Sequence, residues 1–330
     1  MKTAMDELDT RILSLAETKF PIVARPFDTL AERVGAPAEE VLARLGRLVR
    51  DGAVRRIGPV FDSRLLGYVS TLVAARVPEE RLPAIAEQVN HLPGVTHNYE
   101  RRGAYNLWFT LTAASAESLA RMIERLGRET DLKLHSLPAL AVYKIRAVFA
   151  DSEGAPHTAP AKQRSRRAGI RLTEGEKELV RALQDNLAPE REPFKAVADR
   201  AGWTEADVLR QTEAWLASGV LRRFGAVVGH RHLGYTANGM AVFRVADASV
   251  DEAGRALAAR SEITHCYRRP PLPDFPYTLY AMIHGRTEDE VSALAARLAG
   301  KIGAADHAVL FSVTEFKKSP MRYFEPEDEK

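Results

Sequence analysis

The chain has 330 residues, which is enough for two domains of ordinary size. Hydrophobic residues make up 45% of it and charged residues 28%, so the composition is globular and excludes a disordered chain. The net charge of +3 is too small to indicate nucleic-acid binding by itself, and the single cysteine, Cys266, excludes a disulfide framework and an all-cysteine metal site within one chain. The polar N-terminus, and the lack of any run of about 18 apolar residues, predict a cytoplasmic protein without membrane spans.

The first predicted elements are helices with apolar residues at helical spacing. A stripe of leucine and isoleucine covers residues 8–15, and a second short helix is expected over 27–34. A third helix is expected to have Pro37 as its first residue and to end at Asp51 and Gly52. A strand follows directly, and three short helices with a strand predict a winged helix-turn-helix.

The pattern then changes to short β-rich runs separated by helices. The predicted order is βαββαβ, which is the order of the ferredoxin-like sandwich. In chain order the elements are a strand over 69–77, a helix over 82–91, strands over 95–99 and 107–111, a helix over 115–126 and a last strand over 140–149.

The second half of the chain repeats the first, at an offset that drifts by only a few residues. Four anchors carry the repeat: Val54–Gly58 with Leu221–Gly225, Leu66–Tyr68 with Leu233–Tyr235, Thr96–Tyr99 with Thr264–Tyr267, and Tyr105–Leu107 with Tyr277–Leu279. In the second half Thr204 is the expected N-cap of the third helix.

Between the halves lies a stretch rich in Pro, Ala, Gly and charge, which predicts a linker. The fold class is therefore α+β, a tandem duplication whose two halves form an intramolecular pseudo-dimer. The predicted segments are winged helix-turn-helix units over 1–62 and 170–229, ferredoxin-like units over 63–150 and 230–330, and a linker over 151–169.

This architecture resembles the Lrp/AsnC family of transcription regulators, which makes DNA binding the first function to consider. The third helix would have to enter the major groove, where affinity depends on Lys and Arg near phosphates. The helix over 37–51 has three arginines, whereas its counterpart over 204–218 has only Arg210 against three acidic residues. Operator binding by both halves is therefore not expected.

A set of polar residues that the fold does not require is kept in both halves. A Thr-His-x-Tyr motif followed by arginine lies on or near the second strand of each sandwich, and paired arginines begin the strand after each third helix. The last strand of the second half is followed by Lys317, Lys318 and Arg322, of which Lys317 is taken as the candidate. Shared residues in otherwise divergent halves indicate a shared role. The set comprises His97, Tyr99, Arg101, His265, Tyr267, Arg268, Arg269, Arg55, Arg56, Arg222 and Arg223.

At these residues the chain resembles one branch of the Lrp/AsnC-like proteins, the sirohaem decarboxylases. The resemblance is carried by the motifs RRFGAVVGH (222–230), GVTHNYER (94–101) and ITHCYRR (263–269), and it covers nearly all of both modules but not the linker. The order of the modules is similar to the fused form of the two-subunit enzyme, in the branch that leads to haem d1 and alternative haem biosynthesis.

The resemblance implies a carboxy-lyase that removes two acetate carboxylates from sirohaem, giving 12,18-didecarboxysirohaem, with no cofactor beyond the iron of the substrate. His97, His265 and His230 are then the candidate proton donors, and His265 is also a candidate for axial contact with the substrate iron. The arginines and Lys317 are candidate carboxylate anchors, because guanidinium binds carboxylate in a bidentate fork, and the two tyrosines are candidate orienting groups.

Three further expectations concern individual features. Cys266 should face the core, since neighbours on a strand point to opposite sides. A proline-rich loop over 269–276 occurs only in the second half, so we expect it to shape a pocket wall and the second half to hold the one productive site. Histidines without a counterpart in the other half receive no role; they are His91, His135, His157, His284 and His307.

Two other functions stay open at this point. The first is a haem- or ligand-responsive transcription regulator, and the second is a carrier of haem or sirohaem without catalysis. Further association of the fused chain into a homo-oligomer is also open.

Overall fold

The computed structural model describes residues 5–145, 169–228 and 237–325. The predicted linker, apart from its last residue, and the candidate His230 lie outside these ranges. The helices are α1 Glu7–Thr18, α2 Pro26–Val34, α3 Ala38–Arg50, α4 Leu82–His91, α5 Ala116–Thr130, α6 Glu174–Leu183, α7 Pro193–Ala201, α8 Glu205–Ser218, α9 Val250–Ala258 and α10 Glu288–Lys301. The strands are β1 Val54–Phe61, β2 Val69–Ala75, β3 Val95–Arg101, β4 Leu107–Ala113, β5 His135–Pro138, β6 Ala141–Ile145, β7 Leu221–Val228, β8 Ala237–Arg244, β9 Ile263–Arg268, β10 Leu279–Gly285 and β11 Asp306–Lys318.

The helix-turn-helix units begin and end at local signals in the sequence. Thr204 caps α8 as expected, by accepting a hydrogen bond from the backbone N–H of Asp207. Gly35 ends α2 in the left-handed conformation, which glycine adopts without strain. Pro37 is the N-cap of α3, so its prediction as the first helical residue is wrong by one position.

The two helix-turn-helix units share one hydrophobic core. Phe27 and Leu45 of the first half and Phe194 and Trp215 of the second half belong to the same buried cluster. Neither unit therefore folds around a core of its own, and the duplication makes a single N-terminal layer.

The strand that follows each third helix pairs with its counterpart from the other half. β1 and β7 form an antiparallel two-stranded ribbon in which Val54 lies opposite Val228 and Gly58 lies opposite Gly225. Since Gly58 and Gly225 are equivalent in the repeat, the pseudo-twofold axis passes through this pair. The wing is thus shared between the halves, which the repeat alone does not reveal.

The remaining strands form one sheet, with the order β5-β2-β4-β3-β11-β8-β10-β9-β6. It consists of two copies of the same five-segment order, β5-β2-β4-β3-β11 and β11-β8-β10-β9-β6. The last strand of each half first pairs within its own half and then crosses to the other: β11 pairs with β8 and then with β3, and β6 pairs with β9. The last strand predicted over 140–149 is present as β6 in its described part, and residues 146–149 lie outside the described ranges. The prediction missed a separate strand just before it, β5, which pairs with β2.

The sheet curls so that its inner surface becomes a core between the halves. Trp108 of β4 packs in one buried cluster with Met240 and Tyr280 of β8 and β10. The outer surface of each half is covered by its own helices, α4 and α5 or α9 and α10. The predicted tandem α+β fold and intramolecular pseudo-dimer are confirmed. None of the helices in the described part of the chain is long and apolar enough to span a membrane.

Candidate active site

The two histidine motifs lie on equivalent strands and face the inner surface of the sheet. In β3 the rings of His97 and Tyr99 stack with centroids 6.3 Å apart, and in β9 those of His265 and Tyr267 stack at 6.2 Å. Strand alternation sends Cys266 the other way, into the core beneath α9, where its Sγ donates to the carbonyl of Gly254 at 3.7 Å. The prediction that Cys266 is a core residue is confirmed.

An arginine follows each motif on the same face, buried in the first half and partly buried in the second. Arg101 lies over the ring of Tyr99 at 5.2 Å and donates to the carbonyl of Leu310 at 3.0 Å. Arg269 lies over the ring of Tyr267 at 4.8 Å and donates to the carbonyl of Leu137. Each guanidinium thus ties its tyrosine to a last strand, which supports the shape of the site.

A threonine hydroxyl contacts each histidine from the preceding residue. Thr96 Oγ1 lies 3.0 Å from Nδ1 of His97, and Thr264 Oγ1 lies 3.1 Å from Nδ1 of His265. Within the described part of the chain, Nε2 of neither ring has a hydrogen-bond partner in the protein. Both rings keep some accessible surface, so Nε2 is the atom each ring offers to a bound molecule.

The second half contains a third imidazole that the sequence analysis left without a role. His284 of β10 places Nε2 3.2 Å from the hydroxyl of Thr264, on the far side from His265. The equivalent position in β4 is Thr112, whose hydroxyl donates to Ser70 instead. The comparison of the halves missed His284 because it kept only residues present in both.

All three imidazoles have pKa values far below 7 and are therefore neutral at that pH. Burial, together with the charge of Lys318, lowers the pKa of His97 to about 4 and that of His284 to about 4. Burial followed by the neighbouring His284 and His97 lowers the pKa of His265 to about 3, with smaller contributions from Arg222 and Lys318. Because His97 and Lys318 of one side act on His265 of the other, the two motifs share one electrostatic environment.

The ribbon formed by β1 and β7 supplies one arginine near each histidine motif. Arg55 pairs with Glu315 at 3.5 Å, and Tyr99 donates to the same carboxylate at 3.2 Å. Arg222, the counterpart of Arg55, pairs with Asp62 at 3.1 Å. Both guanidinium groups are partly exposed, so they can reach a bound anion.

The second arginine of each pair lies elsewhere. Arg56 donates to the carbonyl of Pro59 at 2.7 Å, and Arg223 donates to that of Ala226 at 2.6 Å. Burial and the mutual repulsion of the two groups lower the pKa of Arg56 to about 10. These arginines hold the ribbon rather than facing the histidines.

Two other candidates lie on the outer face of the sheet. Arg268 points with Cys266 toward α9 and pairs with Asp247 at 3.1 Å. Lys317 donates to the carbonyl of Asn90 at the end of α4, at 2.6 Å. Register shifts in β11 turn Lys318, rather than Lys317, toward the inner face, where it lies opposite His97.

The proline-rich loop also differs from its expected place. It follows the end of β9 that lies away from His265, and its Phe275 packs at 5.7 Å against both Tyr105 and Trp108 of the first half. Asp274 accepts a hydrogen bond from Tyr105 at 2.8 Å. The loop therefore closes the core between the halves and does not form a wall beside His265.

Comparison with known proteins adds to this geometry. A family model described as "Siroheme decarboxylase NirDL-like HTH domain" matches residues 9–55 and 176–222, and the "AsnC-like ligand binding domain" model matches 65–144 and 232–317. The "Siroheme decarboxylase" of Hydrogenobacter thermophilus is 36% identical over 97% of this chain and 96% of its own. The chain belongs to the sirohaem decarboxylase family. The resemblance predicted from its motifs is thus confirmed.

Two further relatives support the fused arrangement. The "Siroheme decarboxylase NirDL subunit" of Paracoccus denitrificans is 37% identical, over 95% of this chain and 96% of its own. A crystal structure of the siroheme decarboxylase NirDL in co-complex with an iron-uroporphyrin III analogue is 34% identical, with a TM-score of 0.72, and the match covers 98% of this chain and 96% of that one. Both halves of the present chain therefore correspond to one complete relative.

Proposed function

We propose that the protein binds sirohaem at the inner face of the sheet, where the two histidine motifs lie, and removes the carboxyl groups of two acetate side chains, giving 12,18-didecarboxysirohaem. One observation carries the proposal: partly exposed cations from both halves surround histidines whose Nε2 atoms have no partner in the described chain. Sirohaem carries eight carboxylates, so its site must supply many cationic donors. The tetrapyrrole analogue bound by the related crystal structure supports the same class of ligand.

The proposed anchors are the cations that face the histidines. Arg55 and Arg222 extend from the ribbon on either side of the pseudo-twofold axis, and Lys318 of β11 lies opposite His97. Arginine suits the bidentate contacts and lysine a single charged contact. Arg101 and Arg269 act indirectly, by fixing Tyr99 and Tyr267 against the histidines.

The proposed proton donors are His97 and His265, through Nε2. When the bond between the methylene carbon and the carboxylate breaks, carbon dioxide leaves and its bonding electrons pass into the macrocycle. One proton must then reach that carbon, and the electron pair forms the new C–H bond. Each decarboxylation consumes one proton and transfers no electrons to an acceptor, so the proposal includes no cofactor beyond the iron of the substrate. The same Nε2 of His265 is the atom that could instead contact this iron.

The proposal gives the helix-turn-helix no role in binding DNA. Arg44 of α3 is held by Asp6, Asp9 and Glu40, and Arg47 is held by Asp9. Basic side chains engaged in this way are poorly placed to neutralise phosphates.

Mass spectrometry of sirohaem incubated anaerobically with the protein tests the proposal. The expected product is lighter than sirohaem by two molecules of carbon dioxide. An unchanged mass, with sirohaem still bound, would support the carrier, and retarded promoter DNA in a gel-shift assay would support the regulator.

A further inference from the structure

The inner face of the second half carries a continuous row of hydrogen-bonding groups that the first half lacks. Thr264 Oγ1 lies 3.1 Å from Nδ1 of His265 and 3.2 Å from Nε2 of His284. Its third contact, to the carbonyl of Met282, is the longest at 3.4 Å. A threonine hydroxyl has one proton to donate and lone pairs to accept another, so it can connect two imidazoles.

The geometry points to His284 as a positioning residue that supplies protons to His265 through the hydroxyl of Thr264. This inference rests on the proposed function and deepens it. When His284 donates from Nε2 to Thr264, the hydroxyl of Thr264 donates to Nδ1 of His265. His265 is then held in the tautomer that has its proton on Nε2, the atom that has no protein partner in the described part of the chain.

The relay balances in protons and electrons. As carbon dioxide leaves the substrate, the Nε2 proton of His265 passes to the carbon, the Thr264 proton passes to Nδ1 of His265, and the Nε2 proton of His284 passes to Thr264. His284 begins protonated and ends neutral, and it regains its proton from water. His265 remains uncharged throughout, which suits a ring that burial and nearby cations keep neutral.

The first half lacks the counterpart of His284 in this row of hydrogen-bonding groups. Thr96 contacts His97 at 3.0 Å, but Thr112 stands where the second half has His284. The charges around His284 come from Lys318 of β11 and Arg101 of β3, and those around His265 come from Arg222 of β7 and Lys318. These cations disfavour a proton on His284 in the empty site, and the carboxylates of the substrate offset them. The two histidine motifs are therefore equivalent in sequence but not in proton supply.

Steady-state kinetics of sirohaem decarboxylation, with variants on both sides, test the relay. Thr264→Val removes the hydroxyl with little change in shape, and it is expected to lower kcat by roughly ten- to a hundredfold without changing KM, because assisted proton transfer is worth about that much or more. Thr264→Ser keeps the hydroxyl and is expected to restore kcat. Thr112→Val, at the position equivalent to His284, is expected to behave like the wild type.

The pH profile separates a relay from a merely structural role. In the wild type, kcat should fall as the pH rises through the pKa of His284 in the complex, and His284→Gln should lose this limb while binding sirohaem with the same absorbance spectrum. A Thr264→Val or His284→Gln variant with the kcat and pH profile of the wild type would overturn the inference, as would failure of Thr264→Ser to restore turnover. If the wild type itself leaves sirohaem unchanged, the proposed function fails instead.

Discussion

Binding of a polycarboxylate tetrapyrrole next to the histidines is expected to draw protons from solution. In the empty site the pKa values of His97, His265 and His284 are about 4, 3 and 4, so at pH 7 all three rings are neutral. The causes are burial and the surrounding cations, above all Lys318 for His97 and His284. A ligand that brings carboxylates next to these rings reverses the electrostatic part of the shift.

The size of the effect follows from these values. Raising the pKa of His265 from about 3 to 7 requires about 5.4 kcal/mol, and raising that of His97 or His284 from about 4 requires about 4 kcal/mol. A carboxylate about 4 Å away supplies about 4 kcal/mol at an effective dielectric constant near 20. One nearby carboxylate thus raises the pKa of His97 or His284 to about 7, where the ring is half protonated at pH 7, whereas His265 needs two and stays neutral with one. Carboxylates next to both His97 and His284 should therefore draw about one proton per ligand at pH 7.

Calorimetric titration with an iron uroporphyrin, in two buffers of different ionisation enthalpy, measures this uptake. The difference between the two heats gives the number of protons bound, and the His284→Gln variant should take up fewer protons than the wild type. Equal heats in both buffers would refute the reasoning, because the ligand would then bind without changing the charge of any histidine.

Three further predictions concern stability and binding. Without ligand, the three histidines bind protons more readily in the unfolded chain than in the folded protein. The free energy of unfolding should therefore fall as the pH drops from 7 to 5, by about 2 kcal/mol for each of the three rings. Urea unfolding at the two pH values checks this, and a His265→Gln variant with the same fall as the wild type would contradict it. Gly225 has a φ of +151° and an added Cβ would lie 2.3 Å from the carbonyl oxygen of Ala16, so Gly225→Ala should cost about 3 kcal/mol or more in urea unfolding. Gly58→Ala, at the equivalent position but facing mainly a flexible arginine, should cost much less, and equal losses would show that the close approach is unimportant. Arg222→Gln should raise KM for sirohaem by about tenfold or more, the worth of a charged hydrogen bond, while the loss of stability is limited because Arg64 still pairs with Asp62 at 3.4 Å. Arg223→Gln should mainly lower the stability measured by urea unfolding, and the reverse pattern would exchange the two roles.

The sequence was sufficient to predict the secondary-structure elements that depend on local patterns. Helical spacing, caps and turn glycines located the helices of both halves, and the duplication implied a pseudo-dimer. The repeat could not show which strands pair across the halves, because hydrophobic alternation is the same whichever partner a strand has. Pairing of β1 with β7, and of β11 with β3, is a property of the assembled chain.

For the same reason, the sequence predicted only some of the residues of the candidate site. His97, His265 and their tyrosines are brought to one face, and strand alternation from His265 could already have excluded Arg268 as a neighbour. Lys318 rather than Lys317 faces the histidines because of register shifts within β11. The alternation of side chains along a strand does not reveal where such shifts occur. His284 had a detectable signal, since it lies on the strand that directly follows the histidine strand in the predicted βαββαβ order, and these two strands pair in the structure.

The most direct test of the account is the number of carboxyl groups removed by the wild type and by His97→Gln, His265→Gln and the double variant. Mass spectrometry of anaerobic sirohaem incubations measures it, and the absorbance of bound sirohaem verifies that each variant still binds. We expect loss of two carboxyl groups with the wild type, accumulation of sirohaem or its singly decarboxylated form with His265→Gln, and no decarboxylation with the double variant. A double variant that binds sirohaem and still removes both carboxyl groups would contradict the assignment of His97 and His265 as the proton donors.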